Sequence, residues 1–295
     1  MRFLFVAVVF FISIVPLAAH IPEGVVYQVF QFPDTHVPKM DGDLADWDRV
    51  PESYILDLSH HAQTIDGVTS TMDTVDLNIK RVGVGWNDAL NRLYFMTEVV
   101  DDVVRFHKDK PDSLNTLYSR MRGAYVHGAD IWEIVIDADH AGDNVIGYAK
   151  YDEDPATEIR HRSAHTQNYH LYMPPLNGYY WHWLWGKSLW IEGAAYSGVG
   201  WNFSGKHTDS GTIIYECYLT PFDDLHPDSP EQSMQHDLSE NAVIGLSWAF
   251  LDADEKPDKF DAFWTISKDM KMYGFGDKLV DFRLMPVVAE LWQDE

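Results

Sequence analysis

Residues 40–51 read MDGDLADWDRVP, a stretch with the chemistry of a closed turn. Asp41-Gly42 suits a tight reversal, because glycine takes backbone angles other residues avoid and aspartate bonds back to its own main chain. Trp47 is a large apolar plate with one polar edge, expected to cover an open end of the core that follows, and Pro51 ends the excursion. Such a turn so early in the chain marks the start of a folded unit built from strands.

The rest of the sequence keeps that expectation. In LYFMTEVVDD (93–102), Leu93, Phe95, Thr97 and Val99 share one parity and Tyr94, Met96, Glu98 and Val100 the other, which is the period of a strand. The same period runs through DIWEIVID (130–137), TIIYECYLT (212–220), AVIGLSWAFLD (242–252) and LVDFRLMPV (279–287). Turn residues separate these runs at Asn87-Asp88, Gly142-Asp143, Asp209-Ser210-Gly211 and Gly276-Asp277. Helix is scarce; SLNTLYSRM (113–121), with Ser113 as cap, has helical spacing. The fold class is therefore all-β: an antiparallel β-sandwich of jelly-roll or immunoglobulin-like form, with one or two short helices.

Residues 1–19, MRFLFVAVVFFISIVPLAA, carry Arg2, an apolar run and small residues at Ala18 and Ala19. The run is shorter than the roughly 20 residues that span a bilayer, so it reads as a secretory signal peptide, and no later segment is apolar enough to cross a membrane. The mature chain, 20–295, is expected to be secreted or periplasmic and to form one domain. Its lone cysteine, Cys217, has no partner for a disulfide and alternates with Ile213, Tyr215 and Leu219 as a small core residue.

The 22 Lys and Arg stand against 46 Asp and Glu, a formal charge of −24. Such a charge repels nucleic-acid phosphates and anionic lipid, leaving neutral ligands and cations as partners. Eleven tryptophans, fifteen tyrosines and fifteen phenylalanines suit a ligand with flat C–H faces and hydroxyls, an oligo- or polysaccharide. The stretch 155–205 departs from the strand rhythm and reads as an aromatic-rich insertion, with Trp181, Trp183 and Trp185 alternating as a stacking platform. Arg160 and Asn168, in the same stretch, have the paired polar groups that suit vicinal hydroxyls.

The DG-x-x-x-DW-x-x-x-P spacing of residues 41–51 resembles the opening of family 9 carbohydrate-binding modules and their DOMON-related sandwich relatives. Further pieces follow in that family's order: LYFMTEVVDDVV, then GADIWEIVIDAD with Asp130, Glu133 and Asp137 in register, then YECYLTPFDDL with Glu216, then NAVIGLSWAFLDAD, and a short closing strand at 279–284. Together they span about residues 38–286.

The resemblance implies a non-catalytic protein in which two aromatic rings enclose a sugar while a glutamate, an amide or aspartate, and an arginine hold its hydroxyls. The glutamate falls on Glu133. The first ring position is His127, with Tyr125 nearby, and the second is Tyr273; neither is the family's tryptophan. The resemblance also implies structural calcium, for which Asp137, Asp139, Asp252 and Asp254 offer hard oxygen ligands at strand ends, and association with glycoside hydrolases.

Two other functions remain open. Related sandwiches bind haem b, for which Met272 and Met173 are possible axial ligands. A polysaccharide-degrading site built within the insertion is the other, although no nucleophile elbow or phosphate-binding glycine loop is present and the histidines lack the H-E-x-x-H spacing of a catalytic zinc.

Overall fold

Strand alternation organises the chain into β1 (Val26–Gln31), β2 (Ile55–Leu56), β3 (Ala62–Gln63), β4 (Leu77–Asn87), β5 (Arg92–Asp101), β6 (Ile131–Asp137), β7 (Gln167–Tyr172), β8 (His182–Leu184), β9 (Ser197–Gly205), β10 (Gly211–Leu219), β11 (Phe222–Asp224), β12 (Met234–Gln235), β13 (Val243–Asp252), β14 (Ala262–Thr265) and β15 (Val280–Leu284). The computed structural model describes residues 22, 24–65, 67–69, 73–105, 129–146, 162–173, 182–184, 188–255 and 259–293. Helical structure among them is confined to short 3-10 turns; the helix expected at 113–121 lies outside the described residues, as does the leader.

Two sheets are joined through β1, and β11 and β12 pair separately as a two-stranded ribbon. The first runs β8-β7-β6-β13-β15-β1, with β14 and then β3 added beside the distal half of β13; the second runs β1-β4-β5-β10-β9, with β2 on β4. Val26 to Val29 pair with β15, and Phe30 and Gln31 pair with β4, both in parallel. Every other pairing is antiparallel, so the antiparallel expectation holds except where β1 crosses between sheets. The stretch 155–205 contributes to both sheets, supplying β7 and β8 to the first and β9 to the second.

The core between the sheets follows the parity read from sequence. From β5, Leu93, Phe95 and Val99 point into it; from β6, Trp132, Ile134 and Ile136; from β10, Ile213, Tyr215, Cys217 and Leu219. Trp132 lies parallel to Phe250 at 5.8 Å and edge-on to Phe95 and Tyr215, locking the two sheets together. Trp86 and Trp248 are also fully buried there. Much of the aromatic content therefore serves packing, which accounts for residues whose number alone suggested stacking surfaces.

Both sheets also carry a layer on their outer faces. On the second, Phe30, Phe32, Tyr94 and Met96 meet Leu44, Trp47 and Val50. The Asp41–Pro51 turn thus covers a sheet face and not an open end: Trp47 stands edge-on to Phe32 at 5.0 Å. On the first, Ile131, Val135, Ala249, Leu251 and Phe263 are covered by Met272, Leu279 and neighbouring residues. Strands buried on both faces read as long apolar runs, as IWEIVID and VIGLSWAFLD do.

Candidate functional site

Within that outer layer of the first sheet a charged residue interrupts the apolar parity of β6 in mid-strand, ahead of Asp137 at its end. Glu133 points outward between Ile131 and Val135, its backbone paired with Ala249 of β13 on one side and His170 of β7 on the other. Asn168 and His170 share the outward parity of β7, so sheet register brings them beside the carboxylate. Asn168 Nδ2 donates to Glu133 Oε1 at 2.6 Å and to the main-chain oxygen of Tyr273 at 2.8 Å. His170 Nε2 is 3.6 Å from the same Oε1. Burial raises the Glu133 carboxyl to about 7, and the Asn168 bond offsets only part of that rise.

Around this floor lies an open recess of about 250 Å³, lined by Glu133, His170, Leu251, Phe260, Phe263, Met270 and Tyr273. Phe263 comes from β14, which pairs with the end of β13. Met270 and Tyr273 come from a 3-10 turn that Asp269 caps by accepting from the Lys271 N–H. That turn is held against the loop after β6 by the Val145 N–H bond to Gly274 and the Gly276 N–H bond to Asp143. The recess is thus an apolar bowl with an acid and an imidazole at its base.

Of the residues singled out from sequence, Glu133, Asn168 and Tyr273 come together here. Asn168 holds the carboxylate from behind, fully buried. Tyr125, His127 and Arg160 lie outside the described residues. Trp183 is the register partner of His170 in β8; Trp181 and Trp185 fall outside the description. His170 belongs to the same polar segment as Asn168, whereas Phe260, Phe263 and Met270 were missed. Strand parity around Phe263 was available as a signal, whereas nothing local marks Phe260 or Met270 as neighbours of Glu133.

The aspartates divide between the two ends of β6. At its start, carboxylate oxygens of Asp101, Asp252 and Asp254 lie within 4.8 Å of one another, as do those of Asp76, Asp102 and Asp254. Asp130 joins this end, accepting from the Arg105 and Ala253 N–H groups at 2.6 and 3.2 Å. Burial, then neighbouring carboxylates, raise Asp101 to about 6 and Asp254 to about 8, and push Asp130 and Asp252 well up. At the other end, Asp137 and Asp139 accept from the Ala141 N–H, and Asp137 also from that of Gly142. They close a turn, and among the described residues they join no three-carboxylate group. The donor set at Asp101, Asp252 and Asp254 is all oxygen, which fits calcium. Of the two methionines considered as a haem ligand opposite a lysine or histidine, Met272 is buried in the layer outside the first sheet and Met173 in the core between the sheets.

The fold and recess define an all-β sandwich protein with an acid-floored bowl on the outer face of one sheet. Among solved structures it is similar to a family 9 carbohydrate-binding module from Caldicellulosiruptor kristjanssonii in complex with glucose, with 13% identity over 88% of this chain and 94% of that one, TM-score 0.49. The same module in complex with cellotriose gives 13% identity over 88% and 93%, TM-score 0.49, and a protein from Bacteroides uniformis 9% over 88% and 98%, TM-score 0.45. These include the family that the DGDLADW turn and later blocks resemble. No protein-family model matches the chain, and no curated protein does. No helix among the described residues is long and apolar enough to cross a membrane.

Proposed function

We propose that the chain is a secreted, non-catalytic carbohydrate-binding protein whose ligand enters the bowl at Glu133. The observation that carries this is the bowl itself: the partly buried Phe260 and Tyr273 offer rings to the C–H face of a sugar, and the Glu133 carboxylate accepts from its hydroxyls. The described lining supports the non-catalytic part of this reading. Glycoside hydrolysis uses two carboxyl groups flanking the scissile bond, and among the described lining residues Glu133 is the one carboxylate. A binding role of this kind serves glycoside hydrolases acting on the same polysaccharide.

Calcium at Asp101, Asp252 and Asp254 completes the reading as a structural brace. It ties the ends of β5 and β13 together and relieves the repulsion among their carboxylates.

Titration calorimetry of the mature chain against an oligosaccharide panel tests the function. Glu133→Ala is expected to weaken binding by about 1 to 3 kcal/mol, the cost of a lost charge-assisted hydrogen bond. A folded variant that binds as wild type removes Glu133 from the site, and a mature chain that binds no saccharide removes the function.

A further inference from the structure

Among the described residues, the bowl offers a fully hydroxylated ring three side chains with polar groups. Its described lining is four apolar side chains, Leu251, Phe260, Phe263 and Met270, beside Glu133, His170 and the amphipathic Tyr273. A hydroxyl pressed against Leu251, Phe260, Phe263 or Met270 finds no partner there, and each unmatched hydroxyl costs free energy. The carboxylate is arranged differently. Both of its contacts, Asn168 at 2.6 Å and His170 at 3.6 Å, fall on Oε1; Oε2 takes no hydrogen bond from a described residue. Glu133 is nevertheless buried, with 2% of its surface exposed, and no lysine or arginine is among the described lining residues.

A buried carboxylate with a free oxygen, walled by Phe260, Phe263, Tyr273 and Met270, is matched by a cation carried on an apolar face. Ring faces attract cations through their quadrupoles, and the net charge of −24 draws cations toward the whole molecule. We infer that the sugar favoured by this site bears a free amine, a glucosamine-type residue whose ammonium pairs with Glu133 Oε2. The inference rests on the saccharide reading of the bowl and adds the charge of the ligand. Burial that holds the Glu133 carboxyl near 7 supports it, since an entering ammonium favours the ionised form and offsets that rise.

Three trisaccharides of equal length separate the possibilities in calorimetry on the mature chain: a glucosamine oligomer, its fully N-acetylated counterpart, and a neutral glucose oligomer. The free amine is expected to bind roughly ten-fold more tightly than either other, the margin of a charged over a neutral hydrogen bond. Glu133→Gln keeps the shape and is expected to erase the preference while retaining weak binding. Equal or tighter binding of the glucose or acetylated oligomer by wild type overturns the amine inference and leaves saccharide binding intact. Failure of all three to bind overturns both. Because the comparison is made first on wild type, it stands whether or not the variant folds.

Discussion

The Trp47 indole N–H donates to Glu216 Oε1 at 3.1 Å, and the Gly42 N–H donates to Glu216 Oε2 at 3.0 Å, so one carboxylate on the outward face of β10 holds both ends of the early turn. Trp47→Phe keeps the ring against Phe32 but leaves a buried oxygen without its donor. The expected loss is about 1 to 3 kcal/mol of stability in urea denaturation. Combined with Glu216→Gln, the two losses should be less than additive; full additivity would show that the two side chains act independently.

Gly42 has φ +78°, and a Cβ there would lie 2.3 Å from the carbonyl carbon of Trp201 in β9. Gly24 has a similar φ of +81° with nothing within 4 Å. Gly42→Ala is therefore expected to cost more than about 1 kcal/mol and Gly24→Ala distinctly less, measured by thermal melting. Equal costs would mean that the close approach to β9 does not matter.

Buried acid and buried imidazole pull stability in opposite directions with pH. The folded Glu133 carboxyl, raised from 4.5 to about 7, binds a proton that the unfolded chain has released. Its contribution is present below pH 4.5 and is lost as pH climbs to 7. Glu133→Gln should match wild type near pH 4.5 and exceed it at pH 8 by on the order of 1 to 3 kcal/mol. A difference that does not change with pH would place this carboxyl in its ordinary range.

His61 shows the reverse. Its Nδ1 faces the Asp57 carbonyl at 2.8 Å, which only accepts, so the proton lies on Nδ1 and Nε2 accepts from the Trp248 indole at 2.8 Å. Burial lowers it from 6.5 to about 4. Its contribution is present above pH 6.5 and is lost as pH falls toward 4. His61→Phe, less stable than wild type at pH 7, should approach it near pH 4 in chemical denaturation. A constant gap would mean that His61 is protonated as readily folded as unfolded.

Millimolar calcium should raise the melting temperature by about 5 °C if it braces the sandwich end, and Asp254→Asn should remove most of that gain. No response to calcium or to a chelator would show that the carboxylates of Asp101, Asp252 and Asp254 hold no calcium.

Strand parity was legible in the sequence. The alternation at 93–102, 130–137, 212–220 and 242–252 placed the strands within a residue or so, because one face of each must meet the opposite sheet whatever else surrounds it. Cys217 among Ile213, Tyr215 and Leu219 follows from the same rule. Less legible was the outer face of each sheet. Trp47 was expected at an open end, and a turn that covers a sheet face has no different local pattern.

The chain by itself determined two sheets, the parity of their side chains and the Asp41–Gly42 turn, since these depend on backbone period and on residues a few places apart. Tertiary structure alone decided that Glu133 lies at the base of a bowl. Its walls come from β7, β13, β14 and the 270–273 turn, joined by register and by packing between segments more than a hundred residues apart. No local period encodes which segment will cover a given face, because that depends on the free energy of burying the whole layer at once.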